Sequence, residues 1–254
     1  MWTYSLLKTN ARQALGGRYW RSFWVCLVVS LVGGGGYTGS INLSFRSDET
    51  MEEAVRYALN QIPATVLAAS AIALALIALV SAALAICWSL FLAAPLRVGC
   101  CRYFMESRQG LTPFTTLFSV FRTPYLNVVK VQFLTGLKIV LGTLLFIIPG
   151  IYWSYCYALV PYLLAENPYL TTTRAMELSK EIMYGEKWHY FVLELSFIGW
   201  NLLCVLTLGI GSFFLAPYKE ATFAEFYAAM RSKAMNQGIT SSQELGGFVR
   251  HEAY

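Results

Sequence analysis

The longest charge-free stretch of this chain lies between Arg56 and Arg97, where no Asp, Glu, Lys or Arg occurs. Most of its residues are Ala, Leu or Ile. A helix crosses the hydrocarbon layer of a bilayer with ~20 apolar residues, so this stretch is long enough for a complete span. Because a backbone in hydrocarbon must satisfy its own hydrogen bonds, the stretch predicts a transmembrane α-helix.

Other parts of the chain are also poor in charge. Hydrophobic residues make up 57% of the sequence and charged residues 13%, whereas soluble domains carry about 25% charged residues. We therefore predict an all-α polytopic membrane protein with about six spans, and we exclude a soluble globular domain. The predicted spans run from Arg21 toward Leu43, through the stretch that ends at Pro95, from Tyr125 to Gly150, from Ile151 to about Ala165, from Trp188 onward, and up to Pro217.

The positions of Lys and Arg predict the orientation in the membrane. Basic residues cluster after the second and fourth spans and after the sixth. The long loop 42–61 on the opposite side has four acidic and two basic residues. The basic residues concerned are Arg97, Arg102, Arg108, Arg122, Arg174, Lys180, Lys187, Lys219, Arg231 and Lys233. By the positive-inside rule, both termini face the cytoplasm of a cell-membrane protein. Anionic lipid headgroups account for the net charge of +5, so no nucleic-acid partner is expected.

Three similar stretches suggest an internal repeat. "LAAPLRVGCCRYFMESR", "ALVPYLLAEN" and "FLAPYKEATFAEFYAAMR" each end a predicted span with a proline followed by Leu or Tyr. We interpret residues 1–235 as one membrane domain of three repeats, approximately 4–108, 109–166 and 167–235, followed by a flexible cytoplasmic tail, 236–254. Each repeat would be an amphipathic interfacial helix and a two-span hairpin. Chance similarity between apolar segments is the alternative.

Local signals place the ends of the interfacial helices. Thr112 and Asn167 each precede a proline, which suits an N-terminal cap. Gly17 and Gly185 stand where two of these helices should stop. In the last copy, an apolar face is predicted for Thr171, Ala175, Leu178 and Ile182.

A few polar residues inside the predicted spans are candidates for a site. Glu194 lies about 9 Å beyond Trp188 along a helix, and Lys130 lies about 8 Å beyond Tyr125. The hypothesis is that these two pair inside the bundle, because a lone charge in the membrane is costly. The candidates for an intramembrane polar pocket are Glu194, Lys130, Lys138, Asn201 and Asn127. The pocket could serve ions, protons or an amphiphile headgroup; the alternative is a structural clamp with snorkelling lysines.

Signals for catalysis are weak. His189 and His251 are the only histidines, and no nucleotide-binding loop, paired-histidine metal motif or serine nucleophile elbow is present. We therefore expect no enzyme activity, no cofactor and no bound metal. The second span has small residues four apart, as in Ala78 and Ala82, which allow close helix packing within the chain or between copies.

Three stretches resemble a known family: "PGIYWSYCYALVPYLLAENP", "ELSKEIMYGEKWHYFVLELSFIGWNLL" and "LTLGIGSFFLAPYKEATFAEFY". The chain resembles the domain-of-unknown-function family nine-seven-five, which comprises bacterial multi-pass integral membrane proteins. The resemblance is strongest from Pro149 to Tyr227, and it implies a membrane location but no reaction. It marks as motif positions Glu166, Ser179, Gly185, Trp188, Ser196, Trp200, Gly209, Pro217, Tyr218 and Tyr227.

Two functions follow as expectations. In the first, the protein binds or transports a lipid-like or small amphiphilic molecule through the polar pocket, with membrane lipids as partners. In the second, it is a non-enzymatic scaffold or regulator of another membrane complex, or it acts as a homo-oligomer. A continuous cavity would favour the first function, and an exposed flat apolar face would favour the second.

Overall fold

The computed structural model describes residues 3–32, 64–110, 112–122, 124–207 and 209–248. The end of the first predicted span, which contains the glycine run 33–36 of the sequence, and the loop 42–61 lie outside these residues. The chain divides into two compact units, residues 40–89 and a larger unit of residues 1–39 and 90–254. Over the described ranges, the regular structure is entirely helical, which agrees with the predicted all-α class.

In chain order, the described ranges contain α-helices, a π-helical turn and a 3₁₀ helix. They are α1 (Tyr4–Leu15), α2 (Tyr19–Val32), α3 (Ala64–Trp88), a π-helical turn (Ser89–Ala93), α4 (Ala94–Ser107), a 3₁₀ helix (Phe114–Phe121), α5 (Tyr125–Leu145), α6 (Ile147–Cys156), α7 (Val160–Glu166), α8 (Thr172–Ile182), α9 (Lys187–Leu195), α10 (Ile198–Leu206) and α11 (Ile210–Asn236).

Four helical segments in the described ranges are long and apolar enough to cross a membrane. They are Ile72–Ser107, Tyr125–Leu145, Ile147–Glu166 and Lys187–Leu206. These segments match the second to fifth predicted spans. The first predicted span corresponds to α2, which is apolar but has 14 described residues. The sixth corresponds to the start of α11, whose apolar part is short because Lys219 and Glu220 follow soon after Pro217.

The third and fourth predicted spans form a tight helical hairpin of α5 and α6. Two glycines set how closely the helices approach. A Cβ atom on Gly142 would overlap the ring of Trp153, and one on Gly150 would lie 2.6 Å from the Cα atom of Thr143. Small residues at such crossings let two backbones pack closely in a membrane, where no hydrophobic effect drives helices together.

The core of the larger unit lies where α4, α7, α8 and α11 meet. Tyr162 of α7 stacks on Tyr227 of α11 with ring centroids 5.0 Å apart, and both rings are buried. Two ion pairs join α4 to α11: Arg108 binds Glu225 through both carboxylate oxygens, and Arg97 lies 3.7 Å from Glu220. Both carboxylates are almost fully buried, so these arginines offset the cost of burying charge.

The amphipathic helix α8 has the predicted apolar face, since Ala175, Leu178 and Ile182 are buried. Its predicted start was wrong. Asn167 accepts a hydrogen bond from the backbone of Tyr169 in a local turn, and the helix begins only at Thr172 with Thr171 as its capping side chain. A turn of this kind competes with helix initiation for the same side chain.

The predicted cap at Thr112 was also wrong. Pro113 precedes the 3₁₀ helix, and no side chain caps that helix. The predicted stops at Gly17 and Gly185 are confirmed, since both glycines have positive φ angles, of 71° and 79°, just beyond α1 and α8. This backbone region is open to glycine at no steric cost.

Residues 237–248, the described part of the predicted tail, pack against the larger unit. Leu245 and Phe248 are buried, and Arg174 of α8 binds both carboxylate oxygens of Glu244 at 2.7 and 2.9 Å. The Asn167 side chain donates to the carbonyl oxygen of Glu244 at 2.9 Å. The segment therefore joins the ends of α7, α8 and α11.

Candidate functional site

Glu194 has a partner, but the predicted partner was wrong. The hydroxyl of Tyr155 on α6 donates a hydrogen bond to Oε2 of Glu194 at 3.0 Å. Lys130 is exposed, and among the described residues no ion pair joins it to Glu194. The similar depth of Lys130 and Glu194 along their helices did not identify the partner of Glu194. The helix α9 packs on α6, and Glu194 accepts its hydrogen bond from Tyr155 of that helix.

The other predicted pocket residues have separate surroundings. Asn127 donates to the backbone oxygens of Pro168 and Leu170 at 2.8 and 2.9 Å, which anchors the connection between α7 and α8. The ammonium of Lys138 lies 5.3 Å from the ring centre of Tyr157. Asn201 is exposed on α10. No hydrogen bond or ion pair in the described ranges joins two of these five residues, and a polar pocket shared by them stays a prediction.

Glu166, the last residue of α7, is a buried hub that connects α7 to α11. Its side chain is 0% exposed. One carboxylate oxygen accepts from the hydroxyl of Tyr227 at 2.7 Å. The other accepts from the guanidinium of Arg231 and the backbone N–H of Gly247, both at 2.7 Å. Burial, followed by the charge of Glu166 and its hydrogen bond, raises the pKa of Tyr227, so the phenol stays a donor.

Several other motif positions have structural contacts. Ser179 donates to the carbonyl of Cys156 at 2.8 Å, and Ser196 donates to the carbonyl of Leu193 at 2.6 Å. Trp188 packs on Phe191. Gly209 has a φ angle of 85° where the chain turns into α11. These positions hold the architecture together.

Two further motif positions, Trp200 and Tyr218, line an apolar cleft of about 700 Å³. Its walls come from the end of α1, the start of α2, one side of α10 and the first turns of α11. The lining residues are Arg12, Leu15, Gly16, Gly17, Tyr19, Trp200, Leu203, Cys204, Thr207, Gly211, Phe214, Leu215 and Tyr218. Trp200 and Leu203 are 52% and 54% exposed, so the cleft can be entered from the outer surface of the helices.

Backbone turns and hydrogen bonds set the positions of the helices that form the cleft. The turn at Gly16 and Gly17 redirects the chain from α1 into α2, and the hydroxyl of Tyr19 then donates to the carbonyl of Phe214 at 2.6 Å. Pro217 lies inside α11, where it cannot donate a backbone hydrogen bond and disturbs the preceding turn. At the other end, the hydroxyl of Thr207 accepts from the backbone N–H of Gly211 at 3.0 Å.

Arg12 lines the α1 end of the cleft, and Lys8 lies one turn away on the same helix, outside the lining. The guanidinium of Arg12 lies 5.5 Å from the ring centre of Tyr218, and the ammonium of Lys8, one turn earlier, lies 4.9 Å from that of Phe197. Among the described residues, no carboxylate lies within ion-pair distance of either cation. Partial burial and the charge of Arg12 lower the pKa of Lys8.

A second cleft, of about 770 Å³, lies between the start of α1, the start of α9 and the end of α11. Glu186 is at its base, 2.6 Å from the ammonium of Lys233 and 3.2 Å from Nδ1 of His189. Its other lining groups are mixed in character, with Tyr4, Ser232 and Asn236 among them. Within the described residues, no cluster of three His, Cys, Asp or Glu side chains could hold a metal ion.

Reasoning from the sequence missed Lys8 and Arg12 because it sought charges inside the predicted spans. The signal was present in "MWTYSLLKTNARQALGG". There, Lys8 and Arg12 are four residues apart, and each directly follows an apolar residue of the same helix. The structure buries Leu7, Ala11 and Leu15 and leaves the two cations at the edge of that face. Such spacing places both side chains on one side of α1.

Comparison with known proteins gives one result. Residues 114–234 match the model of the family described as "Protein of unknown function (DUF975)", which confirms the resemblance seen in the sequence. The matched segment runs from the 3₁₀ helix almost to the end of α11. No curated protein and no solved structure gives a significant match.

Proposed function

Starting from a DUF975 segment within a chain that has four helices able to span a membrane, we propose that this protein binds a lipid-like or small amphiphilic molecule in the apolar cleft. The role is non-enzymatic. The observation that carries this proposal is the cleft itself, whose lining is apolar along its length and cationic at one end.

The size and chemistry of the cleft suit such a ligand. Ligand pockets are usually concave, mostly apolar and ~300–1,000 Å³ in volume, with a few polar groups that orient the ligand. In this cleft, the polar side chain at the turn between α10 and α11 is occupied by the backbone, since the hydroxyl of Thr207 accepts from the N–H of Gly211. The guanidinium of Arg12 is available at the opposite end. An acyl or aryl group would therefore lie along Phe214 and Trp200.

The proposed membrane arrangement keeps the predicted orientation. We place the protein in the cell membrane as a multi-pass protein with cytoplasmic termini, with α2 and the start of α11 as two further spans beside the four long segments. The three-repeat organisation remains part of this proposal. In this arrangement, α1 lies at the inner leaflet, and the cleft opens sideways into the lipid.

Alkylation of cysteine tests the proposal, because Cys204 lines the cleft and Cys87 does not. The purified full chain in a maltoside detergent would be treated with a maleimide, with and without added amphiphiles of several headgroups, and each site would be read by mass spectrometry. Occupancy of the cleft predicts slower alkylation of Cys204 and an unchanged rate at Cys87. Equal rates at Cys204 with and without every amphiphile would contradict the proposal.

A second candidate function is binding to a partner membrane protein through the inner-leaflet helices. The observation in its favour is that Tyr169 and Tyr184, which flank α8, are 74% and 80% exposed. Tyrosine is enriched in protein interfaces because it offers a large contact area at low entropic cost. Replacement of both tyrosines by alanine would release a co-purifying partner in this case, and it would leave protection of Cys204 unchanged.

A further inference from the structure

We infer that the apolar cleft selects anionic amphiphiles, whose carboxylate or phosphate is bound by Arg12 and Lys8 while the apolar chain lies between Tyr19, Trp200 and Phe214. This inference rests on the proposed function and names the ligand class of the same site. The shared chemistry is a negatively charged oxygen group on a single apolar chain. A fatty acid and a lysophospholipid both provide it.

The first support is the geometry of the two cations. Lys8 and Arg12 are four residues apart on α1, so they lie on one side of the helix about 6 Å apart along its axis. Their supporting rings also contact each other, since Phe197 and Tyr218 pack edge to face with centroids 5.6 Å apart. A ring beneath each cation fixes its position but leaves N–H groups free to donate to an anion.

The second support is the contrast with other arginines of the same unit. Arg108 and Arg231 are each bound to a buried carboxylate, Glu225 and Glu166 respectively. No carboxylate of the described residues plays that role for Lys8 or Arg12. Burial and, after it, the positive charge of Arg12 lower the pKa of Lys8, and a bound anion beside the two cations would offset both effects.

The third support is the shape of the site. Gly211 and Tyr218 line opposite ends of the α11 wall, and seven residues of helix span about 10 Å. This length holds part of one apolar chain beside a headgroup at Arg12. The side opening at Trp200 and Leu203 leaves room for the remainder of the chain in the surrounding lipid. A headgroup at α1 and a chain along α11 therefore use both features of the cleft.

The test measures protection of Cys204 from alkylation as a function of amphiphile concentration, using the full chain in maltoside micelles. The probes are palmitate, lysophosphatidylglycerol, lysophosphatidylcholine and monopalmitoylglycerol. We expect the two anionic probes to give half-protection at about tenfold lower concentration than the zwitterionic and neutral probes, because charge-assisted hydrogen bonds are the strong ones. A difference between palmitate and lysophosphatidylglycerol would distinguish carboxylate from phosphate recognition.

Arg12→Gln should remove this preference, and Arg12→Lys should restore part of it. Arg122→Gln is the matched control, because Arg122 is an exposed arginine beyond the 3₁₀ helix and outside the cleft. It should leave the preference unchanged. Unaltered Cys204 reactivity without amphiphile, together with an unaltered gel-filtration profile, would show that each variant is folded.

Three results would overturn the inference in different ways. Equal protection by all four probes would refute the headgroup preference and leave the proposed function standing. No protection by any probe would refute both. Loss of the preference in Arg122→Gln as well as Arg12→Gln would show that the effect comes from net charge and not from the cleft.

Discussion

The hydroxyl of Tyr227 donates a 2.7 Å hydrogen bond to the buried carboxylate of Glu166, which lies 61 positions earlier in the chain. Arg231 and the backbone of Gly247 bind the other oxygen of the same carboxylate. Both Glu166 and Tyr227 are motif positions of the family resemblance, and both lie inside the segment that matches the family model. The hub joins α7, α11 and the C-terminal segment, which explains why an acidic residue is needed there.

Tyr227→Phe should lower the free energy of unfolding by about 1.5–3 kcal/mol, the usual range for a hydrogen bond to a charged group. The phenyl ring would keep its stacking on Tyr162, so the loss would come from the hydroxyl alone. Thermal unfolding in detergent measures this change. Tyr184→Phe is the control, because Tyr184 is 80% exposed. Equal stability of the two variants would show that the hydrogen bond contributes little.

The Arg174–Glu244 pair should make attachment of the C-terminal segment sensitive to acid. The hydrogen bond from Arg174 lowers the pKa of Glu244 below its ordinary value of 4.5. A lowered pKa means that stabilisation is complete above the unfolded value and is lost as pH falls through the folded value. The hydrogen-exchange protection factors of residues 237–248, which are corrected for the intrinsic pH dependence of amide exchange, should therefore fall as the pH drops below 4.5.

Glu244→Gln tests the assignment of that acid response. This variant should exchange faster at neutral pH and show a weaker further change on acidification. Glu177→Gln removes an exposed carboxylate from α8 and should keep the acid response of the native chain. If Glu244→Gln and the native chain responded to acid alike, another group would control release of the segment.

Gly150→Ala should destabilise the hairpin of α5 and α6. The new Cβ atom would lie 2.6 Å from the Cα atom of Thr143, and backbone cannot move aside cheaply. Overpacking of this kind costs about 1–3 kcal/mol. Gly136→Ala on α5 has open space around its Cβ position and should be neutral or stabilising by up to about 1 kcal/mol. Thermal unfolding measures the stability of both variants. Equal stability of Gly150→Ala and Gly136→Ala would contradict the close crossing of α5 and α6.

The Tyr155–Glu194 hydrogen bond should give a measurable coupling energy in a double-mutant cycle of Tyr155→Phe and Glu194→Gln. Interhelical hydrogen bonds in membranes contribute about 0.6 kcal/mol on average and about 1.7 kcal/mol at most. A parallel cycle of Lys130→Gln and Glu194→Gln should show no coupling. The opposite result, with coupling only to Lys130, would restore the pair predicted from the sequence.

Local and periodic features were predictable from the sequence. The buried face of α8 follows from apolar residues at helical spacing, and the stops at Gly17 and Gly185 follow from the backbone freedom of glycine. The four long apolar helical segments coincide with the charge-poor stretches of the second to fifth predicted spans. In each case, the determining residues are close together in the chain.

Contacts between distant segments could not be predicted in the same way. The depth of Lys130 and Glu194 along their helices was a reasonable estimate, but it did not reveal that α9 lies beside Tyr155. The cleft was missed for a similar reason, since Arg12 reaches it only through the packing of α1 on α11. A single sequence gives periodicity and charge, whereas the neighbours of a helix depend on the whole assembly.

The bond from Tyr19 to the carbonyl of Phe214 links positions 195 residues apart. It sets an order for biogenesis. When the ribosome has released α1 and α2, the helix that completes their contact surface has not yet been translated. The apolar side of α1, with Leu7, Ala11 and Leu15, therefore stays uncovered until α11 is available to pack on it. The cleft is therefore complete only after α11 has been synthesised, and a product terminated before α11 would lack one wall of the cleft.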